Sequence, residues 1–244
     1  MTTLRSVIFY LGLFPVTVFF SVIGIFIMPL NRRVRYAIVT RWSAFALWWL
    51  KICCGLDARI EGRENVPDEP CVIFCKHQSA WETMALQFVF PPQVQVVKRE
   101  LLFVPFFGWG LASLNPIAID RAAPARALRQ VLRTGCERIA DGWCVLLFPE
   151  GTRTRPGEQR PYMPSAAALA LRAKCPLVPV AHNAGVYWSR NAMHKFSGTI
   201  ELKIGEPLYP DGRSAAELTA AAAAWVEQQC AQMPQSTPTD PVRT

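Results

Sequence analysis

Apolar and polar positions divide the chain into two unlike parts. Residues 6–30 carry no charged side chain. As a helix they would extend ~37 Å, against ~30 Å for the hydrocarbon core of a bilayer. A secretory signal has a shorter apolar run, about 7–15 residues, that closes on small residues. Here the run ends in Pro29-Leu30-Asn31-Arg32-Arg33 with no A-x-A, so the pattern predicts a retained membrane anchor. Gly12, Pro15 and Gly24 permit a kinked or re-entrant path. Residues 42–50 are apolar between Arg41 and Lys51 and too short to span. Trp42, Trp48 and Trp49 beside those cations predict an interfacial helix, with a core helix of the following domain as the alternative.

From Asp57 onward short apolar runs alternate with helical stretches. The pattern predicts strands at 58–61, 71–75, 94–97, 116–119, 144–148, 177–181 and 199–204, and helices at 82–90, 125–141, 165–174 and 214–232. Strands spaced by helices predict an α/β sheet with helices packed on it. The expected organisation is anchoring and interfacial helices over 1–54, one globular domain over 55–232, and a disordered tail over 233–244, where Pro234, Pro238 and Pro241 fall.

Charge sharpens the membrane reading. Charged residues are 18% of the 244, below the ~25% of an ordinary soluble domain, while hydrophobic residues are 51%. That balance excludes disorder for most of the chain. The net charge is +8, and seven basic residues against one acid lie in residues 1–60. A cationic excess beside an apolar segment suits an anionic membrane surface, whereas a nucleic-acid binder carries it on a face of the folded domain; no nucleic acid is expected. Arg32, Arg33, Arg35 and Arg41 follow the apolar run and only Arg5 precedes it, which predicts that everything after the run lies on the cytoplasmic side. The eight cysteines form no C-x-x-C; they read as reduced, packed thiols.

His77 stands between a predicted strand and a predicted helix, where open α/β sheets place their ligands. Glu82 follows five residues on. A carboxylate that accepts from one ring nitrogen fixes the tautomer and leaves the other nitrogen as a base. A second signal is a buried strand running into Phe148-Pro149-Glu150-Gly151-Thr152-Arg153, where glycine admits a close ligand, threonine offers a hydroxyl and arginine grips phosphate. A third is Asn115–Arg121, a strand ending in a charged pair. A serine hydrolase would need G-x-S-x-G, which is absent. His77, His182 and His194 lie in unrelated segments without ligand spacing, so no metal is expected. His182 reads instead as a residue that hydrogen-bonds its own loop.

Together, His77-x4-Glu82, Ile117-Ala118-Ile119-Asp120-Arg121, Phe148-Pro149-Glu150-Gly151-Thr152-Arg153 and Val178-Pro179-Val180 resemble the motifs of the glycerolipid acyltransferases, in order and spacing. Within that family the chain is most similar to the bacterial 1-acyl-sn-glycerol-3-phosphate acyltransferases. Lys98-Arg99-Glu100-Leu101, Pro105 and Gly108 fit the segment between the first two motifs. The resemblance covers roughly residues 55–210. It implies a mixed central sheet flanked by helices, behind the membrane-anchoring segment. It also implies transfer of an acyl chain from a thioester to the free hydroxyl of lysophosphatidic acid, giving phosphatidic acid. His77 would be the base and Glu82 its orienting carboxylate, where the family carries aspartate. Lys98, Arg121, Glu150, Gly151, Thr152 and Arg153 would bind the acceptor's phosphate, and Val178, Pro179 and Val180 would form an apolar wall.

The resemblance further implies no cofactor beyond the donor, acyl-coenzyme A or acyl carrier protein. An acidic carrier would suit Arg126, Arg129, Arg133 and Arg138, whose alternative is a solvated helix face. Membrane lipids are the expected surroundings and the bacterial inner membrane the expected location. Acylation of another lyso-lipid, such as a lyso-ornithine lipid or a lysophospholipid, and a non-catalytic lipid carrier on the same fold are the competing functions.

Overall fold

The computed structural model describes residues 1–236, and the last part of the expected tail, 237–244, lies outside the described residues. Two long helices come first, α1 (Thr2–Phe26) and α2 (Arg32–Cys54). The Asn31 side chain accepts from the Val34 amide at 2.9 Å to start α2, and Gly55, at φ +65, closes it in the left-handed region that favours glycine. The helices pair antiparallel. Trp42 Nε1 donates to Thr17 Oγ1 at 2.8 Å and Trp49 Nε1 to the Phe9 carbonyl at 3.2 Å.

α1 is long and apolar enough to cross a membrane, yet one side of it packs on the domain, where Phe9 is fully buried against Trp188. Ser6, Ser21 and Gly24 are buried, while Leu4, Leu11, Phe14, Phe19 and Phe26 point outward and are exposed. Ser6 Oγ accepts from the Lys195 amide at 2.9 Å at one end. Gly24 sits so close to Gly110 and Ser113 at the other end that an added Cβ would lie 3.2 Å from the Ser113 hydroxyl. α2 corrects the expectation of a short interfacial helix. It runs for 23 residues, and Tyr36, Val39, Ser43, Ala46, Leu50 and Cys54 recur at three- and four-residue spacing as a buried face. Trp48 and Ile52 remain on its exposed side, so one helix is both core and surface.

The domain is a seven-stranded sheet of β1 (Leu56–Glu61), β2 (Val72–Cys75), β3 (Gln93–Lys98), β4 (Ile117–Ile119), β5 (Cys144–Leu147), β6 (Leu177–His182) and β7 (Gly198–Ile204). Their order is β1-β7-β6-β2-β5-β3-β4. β6 and β7 pair antiparallel and all other neighbours pair parallel. The sheet is therefore mixed, with β1 and β7 running against the other five. The helices are α3 (Trp81–Val89), α4 (Phe107–Ser113), α5 (Pro124–Ala140), α6 (Ser165–Ala173), α7 (Ala184–Tyr187) and α8 (Ala215–Gln232).

Side chains of β2 alternate between two cores. Ile73 packs with Leu50, Leu86, Val178 and Val180, and Val72 and Phe74 pack with Leu169, Leu177 and Val226. Covered on both faces, β2, β5 and β6 read as continuous apolar runs. Their C-terminal ends form the edge from which the site rises. Met233 is buried in the second core, so the described start of the expected tail is packed.

Candidate functional site

β2 delivers its chain to this edge at Cys75, and α3 begins after five intervening residues, at Trp81. His77 lies in that connection and Glu82 in the first turn of α3. The Glu82 carboxylate is fully buried and turns back on the loop. Its Oε1 accepts from His77 Nδ1 at 2.8 Å, from the Gln78 amide at 3.0 Å and from the Ser79 amide at 2.9 Å. Burial by itself would raise the Glu82 pKa. The hydrogen bond from His77 and the donating Ser79 amide outweigh it and hold the group below its ordinary range. An ionised Glu82 makes Nδ1 the protonated nitrogen of His77 and leaves Nε2 as the basic one. Among the described residues, no hydrogen-bond partner occupies Nε2.

The loop after β5 holds His77 from the other side. Phe148 stacks on the imidazole with ring centroids 3.9 Å apart. The His77 carbonyl accepts from Thr154 N at 2.7 Å and from Thr154 Oγ1 at 3.2 Å. The His77 amide donates to Glu150 Oε1 at 3.2 Å. Glu150 is thus turned into the protein rather than toward a ligand, and burial raises its pKa to about 7.

Lys76, one residue earlier, points to the opposite face, where it pairs with Glu227 at 2.5 Å and donates to the Glu158 carbonyl at 3.1 Å. His182 is fully buried beneath the loop. Its Nε2 donates to the Lys76 carbonyl at 2.8 Å and its Nδ1 accepts from the Ala184 amide at 3.2 Å. Burial lowers its pKa, so it is a neutral strut. Ser79 is buried and its hydroxyl accepts from the Trp81 amide, an arrangement with no exposed nucleophile. His194 bonds to Thr3, far from the other histidines. Among the described residues no group of His, Cys, Asp or Glu is arranged to hold a metal.

Two hollows meet at Arg153. One is an apolar cavity of about 140 Å³ among α1, α2, α3 and α4, lined by Phe20, Trp42, Met84, Phe107 and Leu111 together with Arg153. The other is an open cleft of about 1160 Å³ lined by Arg153, Arg155, Arg160 and Arg190. Thr152 borders it, accepting from Arg190 Nη1 at 3.2 Å. Gly151, at φ +67, gives the turn its left-handed residue.

Other expected site residues lie elsewhere. Lys98 ends β3, two strands from β2, and faces Glu100 at 3.4 Å. Arg121 follows β4 one strand further out, roughly 14 Å across the sheet from β2 at ordinary strand spacing. Its neighbour Asp120 pairs with Arg99 rather than with it. Neither Lys98 nor Arg121 lines the two hollows at Arg153. Val178 and Val180 are core residues of β6, and Pro179 packs toward Gly205. The three support the sheet beneath the site and do not wall it. Of the α5 arginines, Arg126, Arg129 and Arg133 share an exposed face, and Arg138 is buried.

Motif reading missed Arg155, Arg160 and Arg190. The first two follow the Gly151-Thr152-Arg153 turn in the chain and were legible as a basic run. Arg190 is 38 residues from Thr152, and nothing local marks it.

Comparison with known proteins gives one family. Residues 57–183 match the model of the family described as Acyltransferase. A 1-acyl-sn-glycerol-3-phosphate acyltransferase of Pseudomonas aeruginosa is 44% identical over 235 residues, 94% of this chain and 91% of that protein. The human 1-acyl-sn-glycerol-3-phosphate acyltransferase beta is 31% identical over 153 residues, 62% of this chain and 55% of that protein. The fold resembles the crystal structure of the 1-acyl-sn-glycerophosphate (LPA) acyltransferase PlsC from Thermotoga maritima, with a TM-score of 0.78, 24% identity and 95% of each chain covered.

Proposed function

Since the chain belongs to the acyltransferase family, we propose that His77 and Glu82 are its base and orienting carboxylate. The protein is an O-acyltransferase of the 1-acyl-sn-glycerol-3-phosphate class: it acylates the free hydroxyl of lysophosphatidic acid and gives phosphatidic acid. The observation that carries the roles is the 2.8 Å bond from His77 Nδ1 to a buried, ionised Glu82.

In this reading, His77 Nε2 takes the proton of the acceptor hydroxyl as its oxygen attacks the carbonyl of a thioester donor. The tetrahedral adduct collapses, the carbon–sulfur bond breaks, and the imidazolium returns the proton to the departing thiolate. Because a thiolate leaves readily, the route needs no covalent enzyme intermediate. Glu82 holds the ring and offsets the imidazolium charge. Arg153 grips the phosphate, supported by its place between the apolar cavity and the basic cleft: a lipid's tail and its charged head part company there. The donor is an acyl thioester of coenzyme A or of acyl carrier protein.

The apolar N-terminal helix accords with membrane association. Both ends of α1 touch the same domain, which supports burial of its outward face in one leaflet rather than a crossing. The cations Arg32, Arg33 and Arg35 at the start of α2 support the cytoplasmic face of the inner membrane. The test is to supply purified protein in lipid vesicles with lysophosphatidic acid and a labelled acyl thioester. Labelled phosphatidic acid is expected from the parent and not from His77→Ala.

A further inference from the structure

Two consecutive residues after β2 take hold of the loop that carries Arg153. His77 does so by its carbonyl, which accepts from Thr154 N at 2.7 Å. Lys76 does so by its side chain, whose Nζ donates to the Glu158 carbonyl at 3.1 Å. The stretch from Arg155 to Glu158 is a closed turn. The Glu158 amide donates to the Arg155 carbonyl at 3.0 Å, and the Arg155 amide donates to Glu158 Oε2 at 2.9 Å. Holding the Glu158 carbonyl therefore holds the whole turn, two residues beyond Arg153.

Lys76 is only 1% exposed. Among the described residues its one ion-pair partner is Glu227 of α8, at 2.5 Å. The same Glu227 oxygen accepts from the Tyr162 hydroxyl at 2.5 Å. Tyr162 lies at the far end of the Arg153 loop, and its ring stacks on Phe74 of β2 with centroids 5.4 Å apart. One carboxylate oxygen on α8 thus joins the residue before His77 to the end of the loop that carries Arg153. Stability alone does not account for this pair. Taking an ammonium and a carboxylate out of water costs about as much as their attraction returns, and apolar residues of similar volume often serve as well. What the pair adds is geometry, because its bonds reach three segments and fix their spacing.

Resting on the acyl-transfer reading, we propose that Lys76 and Glu227 are positioning residues for that reaction: from beneath the site they set the separation between His77 and Arg153. Neither touches substrate. An acceptor held by its phosphate at Arg153 brings its hydroxyl to His77 Nε2 at one separation of the two loops, and small misplacements of reacting groups are costly in rate. The pair acts on both loops at once, so its loss should be felt in acceptor binding as well as in turnover.

Lys76→Met/Glu227→Gln tests this in the full chain. It removes the tie, leaves no buried unpaired charge, and keeps an acceptor for the Tyr162 hydroxyl, so the variant should fold. Hydrogen exchange reads the tie independently of activity. The Thr154 and Glu158 amides should exchange about tenfold or more faster than in the parent, while the amides of β2 and β6 keep the parent's protection. In vesicles, the Michaelis constant for lysophosphatidic acid should rise about tenfold as turnover falls. A merely structural loss would lower the fraction of active protein, and so turnover, at an unchanged Michaelis constant. The proposal is overturned if that constant does not move, if Thr154 and Glu158 exchange at the parental rates, or if protection falls equally throughout the sheet. If the parent itself makes no phosphatidic acid, the acyl-transfer reading fails, and the exchange measurement decides by itself whether the pair holds the loop.

Discussion

Glu82 Oε1 accepts from His77 Nδ1 at 2.8 Å and from the Ser79 amide at 2.9 Å, so one buried oxygen holds both the imidazole and the loop that carries it. The longer glutamate, where the resemblance led us to expect aspartate, is accommodated because its carboxylate folds back over the first turn of its own helix, which begins at Trp81, to reach the His77 loop. Glu82→Asp should withdraw that oxygen by about one methylene and lower turnover about tenfold or more, by loosening His77. Glu82→Gln should lower it about a hundredfold, because an amide cannot offset an imidazolium by charge. Turnover in Glu82→Asp equal to the parent's would show that the loop, not the glutamate, sets the ring.

Arg153→Ala should raise the Michaelis constant for lysophosphatidic acid more than it lowers turnover, by about tenfold, since it removes a charge-assisted contact remote from the reacting hydroxyl. Arg121→Ala should change that constant less, because Arg121 lies at the β4 edge, outside both hollows. Steady-state kinetics with the acceptor varied reads both.

Glu150 gives a pH signature in stability. Burial raises its folded pKa from 4.5 to about 7, so the folded state favours the protonated form. Its contribution is fully present below pH 4.5 and is lost as pH rises through about 7. Glu150→Gln keeps an acceptor for the His77 amide and carries no charge. The variant should therefore gain on the parent by about 2 kcal/mol between pH 5 and pH 8, read as a difference in thermal unfolding that widens with pH. A difference that stays constant over that range would remove the buried-carboxyl reading.

The membrane arrangement is testable by sidedness. The chain should stay with membranes through a high-salt wash, since apolar burial is not screened. Tags at the two termini should both be reached by an impermeant probe from the cytoplasmic side. An N-terminal tag reached only from the other side would mean that α1 crosses.

Much of this was legible in the sequence because the signals are local. Each strand is a short apolar run, and His77, Glu82 and Arg153 sit in contiguous motifs. α4 was not legible, since Gly108 and Gly110 are poor helix formers; its packing against α1 at Gly24 overrides propensity. α2 was read as too short because Arg32, Arg33, Arg35 and Arg41 interrupt its apolar composition, while its buried face keeps helical spacing. Motif membership could not give the direction of a side chain: Glu150 turns inward to the His77 amide. Val178 and Val180 support the sheet from its core.

The central claim is that His77 is the base that activates the acceptor hydroxyl, and His77→Ala measures it most directly. In vesicles with saturating donor and lysophosphatidic acid, the variant should form phosphatidic acid about a hundredfold or more slowly than the parent, within the ~10²–10⁴ that positioned general bases contribute. Its membrane retention and thermal unfolding should match the parent's. A folded His77→Ala protein that makes phosphatidic acid at the parental rate would contradict the account.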